Sequence, residues 1–370
     1  MIIEIDMNSL LFTVRKYLKR SRLLYSVYTR LFDVDFRKQK ERMYSSNKKS
    51  EDCIKKEMRL YSNYWGVPAD EYIRYGLFEK QLSEEEILDY IPTQVFYCEY
   101  LRRSYQNIDT NADDDKWHQY EILSQLNIPT PNIEFLIHNG RLQNKDKKDV
   151  GFSDLQAVAN EGEKIFIKPT NGCGGSGIIV LVKRGGLLYK KGTIIQGLED
   201  LNISNHVSYV VQKGIVQNAE ISKIYDGCIN TLRTIVQYRD GETNVVGCIL
   251  RMGRNGADVD NSAQGGISVN VNFDDGSFGP FAIAEHGGEI FTSHPDSGYV
   301  FNGNSMPNWA DVKQEILKNV CKMAQYNDVG WDIAVTDNGI CVIEFNLGYG
   351  IVHAQTCCGG LRRKLNVYPK

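Results

Sequence analysis

Near the end of this 370-residue chain, Gly330-Trp331-Asp332-Ile-Ala-Val-Thr336 and Ile340-Cys-Val-Ile-Glu344-Phe-Asn346 flank the turn sequence Asp337-Asn338-Gly339. Two β-type runs this close together form an antiparallel hairpin, and the loop length sets which side chains share a face. With a three-residue loop and Gly339 in the left-handed position, Thr336 pairs with Ile340 and Asp332 falls opposite Glu344. Asn346, two positions on, joins that face. The other face then reads Ile333, Val335, Cys341, Ile343 and Phe345, all suited to a core. A two-residue Asn-Gly turn would pair Asp332 with Phe345 and mix the faces, so the alternation favours the longer loop.

Carboxylates converging on one face repel each other unless a hard cation lies between them, and an amide oxygen beside them completes an oxygen donor set suited to Mg²⁺. The alternative is a solvated acidic face. Glu344 embedded in Val-Ile-Glu-Phe favours the metal.

Upstream, the apolar run Ile165-Phe-Ile-Lys168-Pro169 leads into a loop holding Gly172, Gly174, Gly175, Ser176 and Gly177, followed by a second apolar run, Ile178–Val182. Glycines let backbone N–H groups approach an anion, and a Lys adds a point charge for phosphate oxygens. No Gly-Lys-Ser/Thr opens a helix here, so this is a hairpin flap and not a Walker loop, with a purely structural glycine hairpin as the alternative. Between the two hairpins, an apolar strand runs through Tyr209 into Gln212, Lys213, Gly214 and Ile215, where backbone groups could face a purine edge, with Glu220 at a ribose. Arg233, Arg251, Asp260, Asn261 and His294 follow.

The first ~110 residues read as helical, with helices expected around 51–63 and 83–105 and a short one over 116–126. From about 163 the texture changes to short β runs separated by glycines, expected at 165–168, 178–183, 208–212, 232–239, 245–251 and 267–273, with a helix over 311–326. The class is α+β, rich in antiparallel hairpins. The formal charge of −3 hides an asymmetry: residues 1–60 are net +7 and the remainder net −10. Much of that excess lies on an amphipathic pattern from Leu10 to Phe32, which either packs on its own domain or rests on an anionic membrane. No apolar run approaches a membrane span, and Glu4 and Asp6 at the start do not read as a secretory signal. Nine cysteines without a CxxC pair suit reduced thiols in the cytoplasm. The acidic remainder lacks an aromatic–basic motif for nucleic acid.

Lysine, glycine flap, hinge strand and a terminal Asp…Glu-x-Asn hairpin, in that order, resemble the ATP-grasp superfamily. Phe-Ile-Lys168-Pro, Asn230-Thr-Leu-Arg233, Val-Asp260-Asn261, Gly265-Gly-Ile, His294-Pro-Asp-Ser-Gly and Gly330-Trp-Asp-Ile-Ala resemble its sugar-transfer-associated family, over roughly Asp115 to Gly350. The resemblance implies an ATP-grasp domain over 111–370, with a lid at about 155–212 and a helical region, 1–110, before it. It implies ATP with Lys116 and Lys168 on its phosphates and the flap over them, Gln212 to Ile215 along adenine and Glu220 at the ribose. Mg²⁺ would sit on Asp332, Glu344 and Asn346, and substrate on Asp260, Asn261 and His294. The implied activity is ligation of a sugar carboxylate to an amine through an acyl phosphate, in surface polysaccharide synthesis, by a cytoplasmic enzyme at or near the membrane's inner face. Amide-forming relatives often carry an Arg two residues before the first metal Asp; here Gly330 stands there, so Arg233 or Arg251 must substitute. The Pro that often follows the metal Asn is also absent, Leu347 taking its place. A kinase of the same fold and a non-catalytic nucleotide-binding scaffold are the alternatives.

Overall fold

Pro92 divides what the helical pattern of 83–105 runs together. Ser83 caps Glu84–Leu88 through a capping box with Glu86, but the chain leaves the helix before Ile91-Pro92 and resumes it at Thr93–Val95, with a π-helical stretch at Phe96–Leu101. Proline lacks an N–H and forces the preceding residue out of helical geometry, which explains the break. The helix Glu51–Trp65 forms as expected, capped by Ser50, whose hydroxyl accepts from Cys53 N–H.

The computed structural model describes residues 22–45, 48–106, 108, 115–172, 175–284 and 288–369. The expected amphipathic pattern before Arg22, the polar run before Asp115 and Gly174 of the flap lie outside the described residues.

Fourteen strands build two seven-stranded sheets among the described residues. The first holds β1 (Ile133–His138), β2 (Arg141–Gln143), β3 (Lys164–Pro169), β4 (Ile179–Arg184), β5 (Leu187–Lys190), β6 (Thr193–Ile195) and β7 (Tyr209–Lys213) in the order β2-β1-β7-β3-β4-β5-β6. The second holds β8 (Thr231–Arg239), β9 (Glu242–Met252), β10 (Ile267–Val271), β11 (Phe278–Ala284), β12 (Ile290–Phe291), β13 (Asp328–Thr336) and β14 (Gly339–Asn346) in the order β12-β11-β10-β9-β8-β13-β14. Every pairing within them is antiparallel.

The terminal hairpin reaches the expected pairing by another route. Thr336 pairs with Gly339 and not with Ile340, which would place Asp332 opposite Ile343. A bulge between Asp332 and Ile333 takes up one extra residue on β14 and restores Asp332 opposite Glu344. The bulge also changes the faces: the core receives Ile340, Val342 and Phe345, while Ile343 turns to the cleft and Cys341 stays half-buried.

One face of the second sheet packs on the helix Trp309–Val320. On the other, Ile235 and Val246 share a core with Tyr61, Trp65, Tyr72 and Phe96 of the helical region and with Tyr349, Leu361 and Leu365 near the end of the chain. The head of β13 is clamped there as well: Asp328 accepts from Tyr100 Oη (2.6 Å) and Ser104 Oγ (2.9 Å). The helical region is thus built into the support of the hairpin that carries Asp332 and Glu344.

Candidate active site

Alternation along β3 sends Ile165 and Ile167 into the first sheet's own core and Phe166 and Lys168 to the opposite face. That face meets the end of the second sheet across a cleft lined by Lys116, Phe166, Lys168, Gln212, Arg251 and Glu344, among others. The flap closes one side. A side chain at Gly175 would come within 2.8 Å of Gln264 Nε2, so the flap lies directly on the loop after β9, and only glycine fits that approach at φ +71°. Lys164 fixes the same closure, donating to Gly227 O at 2.9 Å and standing 3.4 Å from Asp258 Oδ1.

Two ammonium groups converge beside Glu344. Lys116 opens the helix Lys116–Gln125; its N–H donates to Thr170 O (3.0 Å) and its Nζ to Gly172 O (2.5 Å), which ties it to the root of the flap. Burial lowers the pKa of Lys168 to about 8, with Glu344 opposing that shift and Lys116 adding to it. Burial raises the pKa of Glu344, and the charge of Asp332 raises it further. Asp332 goes the other way. Burial alone would raise it, but Arg233 and Arg251 outweigh burial and hold the carboxyl well below the usual range. Arg233 grips both its oxygens, and Arg251 bridges it to Asp260, which also accepts from Thr231 N–H and Oγ1.

The remaining expected residues divide. Lys213, Ile215, Asp260, Asn261, Gly172, Gly175 and Ser176 line the cleft. Gln212 lines it too, its amide donating to Pro131 O at 3.1 Å, and Lys213 pairs with Glu163 at 3.1 Å. Gly214 packs on Lys164 and Phe166, with its N–H given to Lys164 O, and Gly177 faces a neighbouring groove. Glu220 is not brought to the cleft: it is exposed on the short helix Ala219–Ser222 and pairs with Lys223. His294 is fully buried away from it, stacked on Tyr225 with ring centroids 5.2 Å apart, its Nε2 2.8 Å from Gly253 O. Residues not anticipated include Phe166, Ile178, Val259 and Ile343, an apolar lining suited to a flat ring. For Phe166 the signal was present, two positions before Lys168 and so on its face.

A profile of the sugar-transfer associated ATP-grasp family matches residues 96–367. The chain belongs to that family. The two sheets facing each other across the cleft are its ATP-grasp fold, and the matched span begins inside the helical region, at the π-helical stretch. No curated protein matches the chain. Among solved structures, D-alanine–D-alanine ligase from Bacillus anthracis is similar at 15% identity and a TM-score of 0.34, over 66% of this chain and 59% of that one. VanG D-Ala:D-Ser ligase from Enterococcus faecalis is similar at 13% and 0.38, over 69% and 61%. Carboxyaminoimidazole ribonucleotide synthase from Aspergillus clavatus, complexed with ATP, is similar at 12% and 0.38, over 70% and 53%. This ATP-grasp chain spans between half and about three fifths of the length of those proteins.

The donor set fits a hard cation. Among the described residues no three His, Cys, Asp or Glu side chains group as ligands, so such an ion would rely on two carboxylates and an amide. Glu344 sits against Asp332 with its pKa raised, the state a cation between them would relieve. Among the described residues the buried Nδ2 of Asn346 has no hydrogen-bond partner, so none of their acceptors dictates how this amide is turned. Asp332 offers only the lone pairs that its arginines leave.

Proposed function

We propose that the protein is an ATP- and Mg²⁺-dependent carboxylate–amine ligase that forms an amide through an acyl phosphate, joining an amino acid or other amine to a sugar-linked carboxylate in surface polysaccharide synthesis. The observation that carries this reading is the convergence of Lys116, Lys168, Arg251 and the Asp332–Glu344 pair on one cleft. The apolar lining around Phe166 and Ile343 would take the base, with Gln212, Lys213 and Ile215 along its edge. A carboxylate is a poor electrophile without a leaving group, and phosphorylation supplies one. Lys116 and Lys168 would hold the phosphates and offset charge as the terminal group moves, and the flap would exclude water. Mg²⁺, when bound on Glu344, Asn346 and a free lone pair of Asp332, supplies further charge neutralisation. Arg251 has five N–H donors. Its pairing with Asp260 and Asp332 leaves donors for an oxyanion, the task the family's absent Arg would perform. Lipid-linked intermediates would give the basic N-terminal segment an anionic surface to meet.

Kinase chemistry is favoured by one observation: at Gly330, an added Cβ would lie 2.6 Å from Tyr349 Cβ, so the place for that Arg is closed. A coupled ADP-release screen of uronic acids paired with amino acids separates the two. ADP released only when acid and amine are both present supports ligation. A stable phosphorylated product without amine would establish the kinase.

A further inference from the structure

The sheet face that roofs the proposed nucleotide cleft continues past the flap. Cross-strand pairing puts Val182 beside Tyr189 and Tyr189 beside Ile194, with Phe166 and Val180 as the adjacent pair on the same face, so an apolar and aromatic patch spreads over β3, β4, β5 and β6 next to Lys164. The Phe166 end belongs to the nucleotide cleft. The Val180–Tyr189 end lines a second, wider groove of about 680 Å³, bounded on the far side by Gly256–Val259 and Gln264.

That groove has unusual chemistry for this acidic chain. Arg184, Lys190 and Lys191 line it, while Asp258 is its one carboxylate among the described residues and already stands beside Lys164. Lys190 is committed to Leu201 O at 3.0 Å, but Arg184 and Lys191 are exposed. Next to them Ile194 and Leu187 remain 41% and 39% exposed. A half-buried tyrosine ring with aliphatic neighbours suits the C–H face of a sugar ring, and exposed cations at its rim suit carboxylates on that sugar. Gly175, Ile178 and Val259 line both cavities, so a chain lying in the groove would touch the flap from behind with its end directed into the cleft.

We infer that this groove binds an acidic oligosaccharide, with a sugar ring on Tyr189 and uronate carboxylates on Arg184 and Lys191. The inference rests on the sugar-carboxylate reading above and adds that the substrate is a chain, held outside the reacting centre.

The test is calorimetric titration of the full-length protein with hexagalacturonate, in the absence of nucleotide. Wild type should bind it and should not bind neutral maltohexaose. The Arg184→Glu/Lys191→Glu variant should weaken binding at least about tenfold, and Tyr189→Ala should weaken it independently. Arg184→Gln/Lys191→Gln, with the wild-type thermal melt as its folding control, should do the same if charge reversal disturbs the sheet. Unchanged binding in these variants overturns the inference. So does hexathymidylate binding as tightly as hexagalacturonate, because the groove would then read charge alone. Hexagalacturonate binding with no ADP release in the acid–amine screen would sink the ligase reading and leave the groove standing. Turnover on a single uronic acid, unaltered in the groove variants that no longer bind the hexamer, would support both.

Discussion

Arg233 holds Asp332 across one rung of the β8–β13 ladder, Nε to Oδ1 at 2.5 Å and Nη2 to Oδ2 at 2.9 Å. Arg251, one strand further, reaches the same carboxylate at 3.3 Å and takes Asp260 with its other nitrogens. One buried carboxylate therefore lies between two guanidinium groups, while Glu344 faces it from the other side. The arrangement keeps Asp332 ionised where burial would neutralise it, and it fixes Arg251 at the cleft wall.

Removing Arg233 should expose how much that pairing matters. Arg233→Ala leaves a buried charge short of its main partner and should cost about 3 kcal/mol in urea unfolding. Arg233→Lys should recover little, since an ammonium cannot reproduce the two-pronged contact. In the Arg233→Ala/Asp332→Asn double variant the cost should fall well below the sum of the single changes. Additive costs would mean that the two side chains do not act as a pair.

Tyr349 closes the ground beside Gly330, and its own hydroxyl is buried without a hydrogen-bond partner among the described residues. Two opposite effects follow. Gly330→Ala should destabilise by about 1–3 kcal/mol through overpacking. Tyr349→Phe, which removes an unsatisfied polar atom from the interior, should leave thermal stability unchanged or raise it. A clear loss of melting temperature in Tyr349→Phe would show that the hydroxyl has a partner after all.

How much of this was legible beforehand varies with the range of the interaction. Strand alternation is local, so the Asp332–Glu344 pair could be placed on one face from sequence. The pairing came out as expected although the loop did not: the bulge at Asp332/Ile333 cancels the shorter turn, and only packing of Ile340, Val342 and Phe345 reveals it. Glu220 stands outside the cleft lining, exposed on a one-turn helix and paired with Lys223 three residues on, a direction the strand pattern does not reveal. His294 is buried outside the cleft lining, held by its own turn at Nδ1 and by the distant Gly253 O at Nε2, a contact no local pattern shows. The short helix after Asp115 was readable, yet nothing local shows that Lys116 reaches the flap.

Glu344 is the point where stability and activity should separate. Its carboxyl is pushed up by burial and by Asp332, so the charge is costly in the free protein. Glu344→Gln should therefore keep or raise the melting temperature while abolishing ADP formation. Millimolar Mg²⁺ with ADP should raise the melting temperature of wild type and do so less for the variant. Equal shifts in both proteins, or retained turnover, would remove Glu344 from the metal site.

His294 should make stability depend on pH just below the ordinary histidine range. Its Nδ1 accepts from the backbone N–H groups of Asp296 and Ser297, so the proton sits on Nε2 and is donated to Gly253 O. A second proton on Nδ1 would face two donors. Burial accordingly lowers its pKa from 6.5, with Gly253 and Asp296 drawing it back and Arg254 pushing it down further. A histidine with a depressed folded pKa is neutral in the fold and protonated first in the unfolded chain. The fold therefore keeps its full stability above about pH 6.5 and loses part of it as pH falls below that value. His294→Gln can still donate to Gly253 O but cannot titrate. It should melt lower than wild type at pH 8 and show a flatter fall between about pH 6.5 and 5.5. Parallel melting curves across that window would place the proton-linked loss of stability elsewhere.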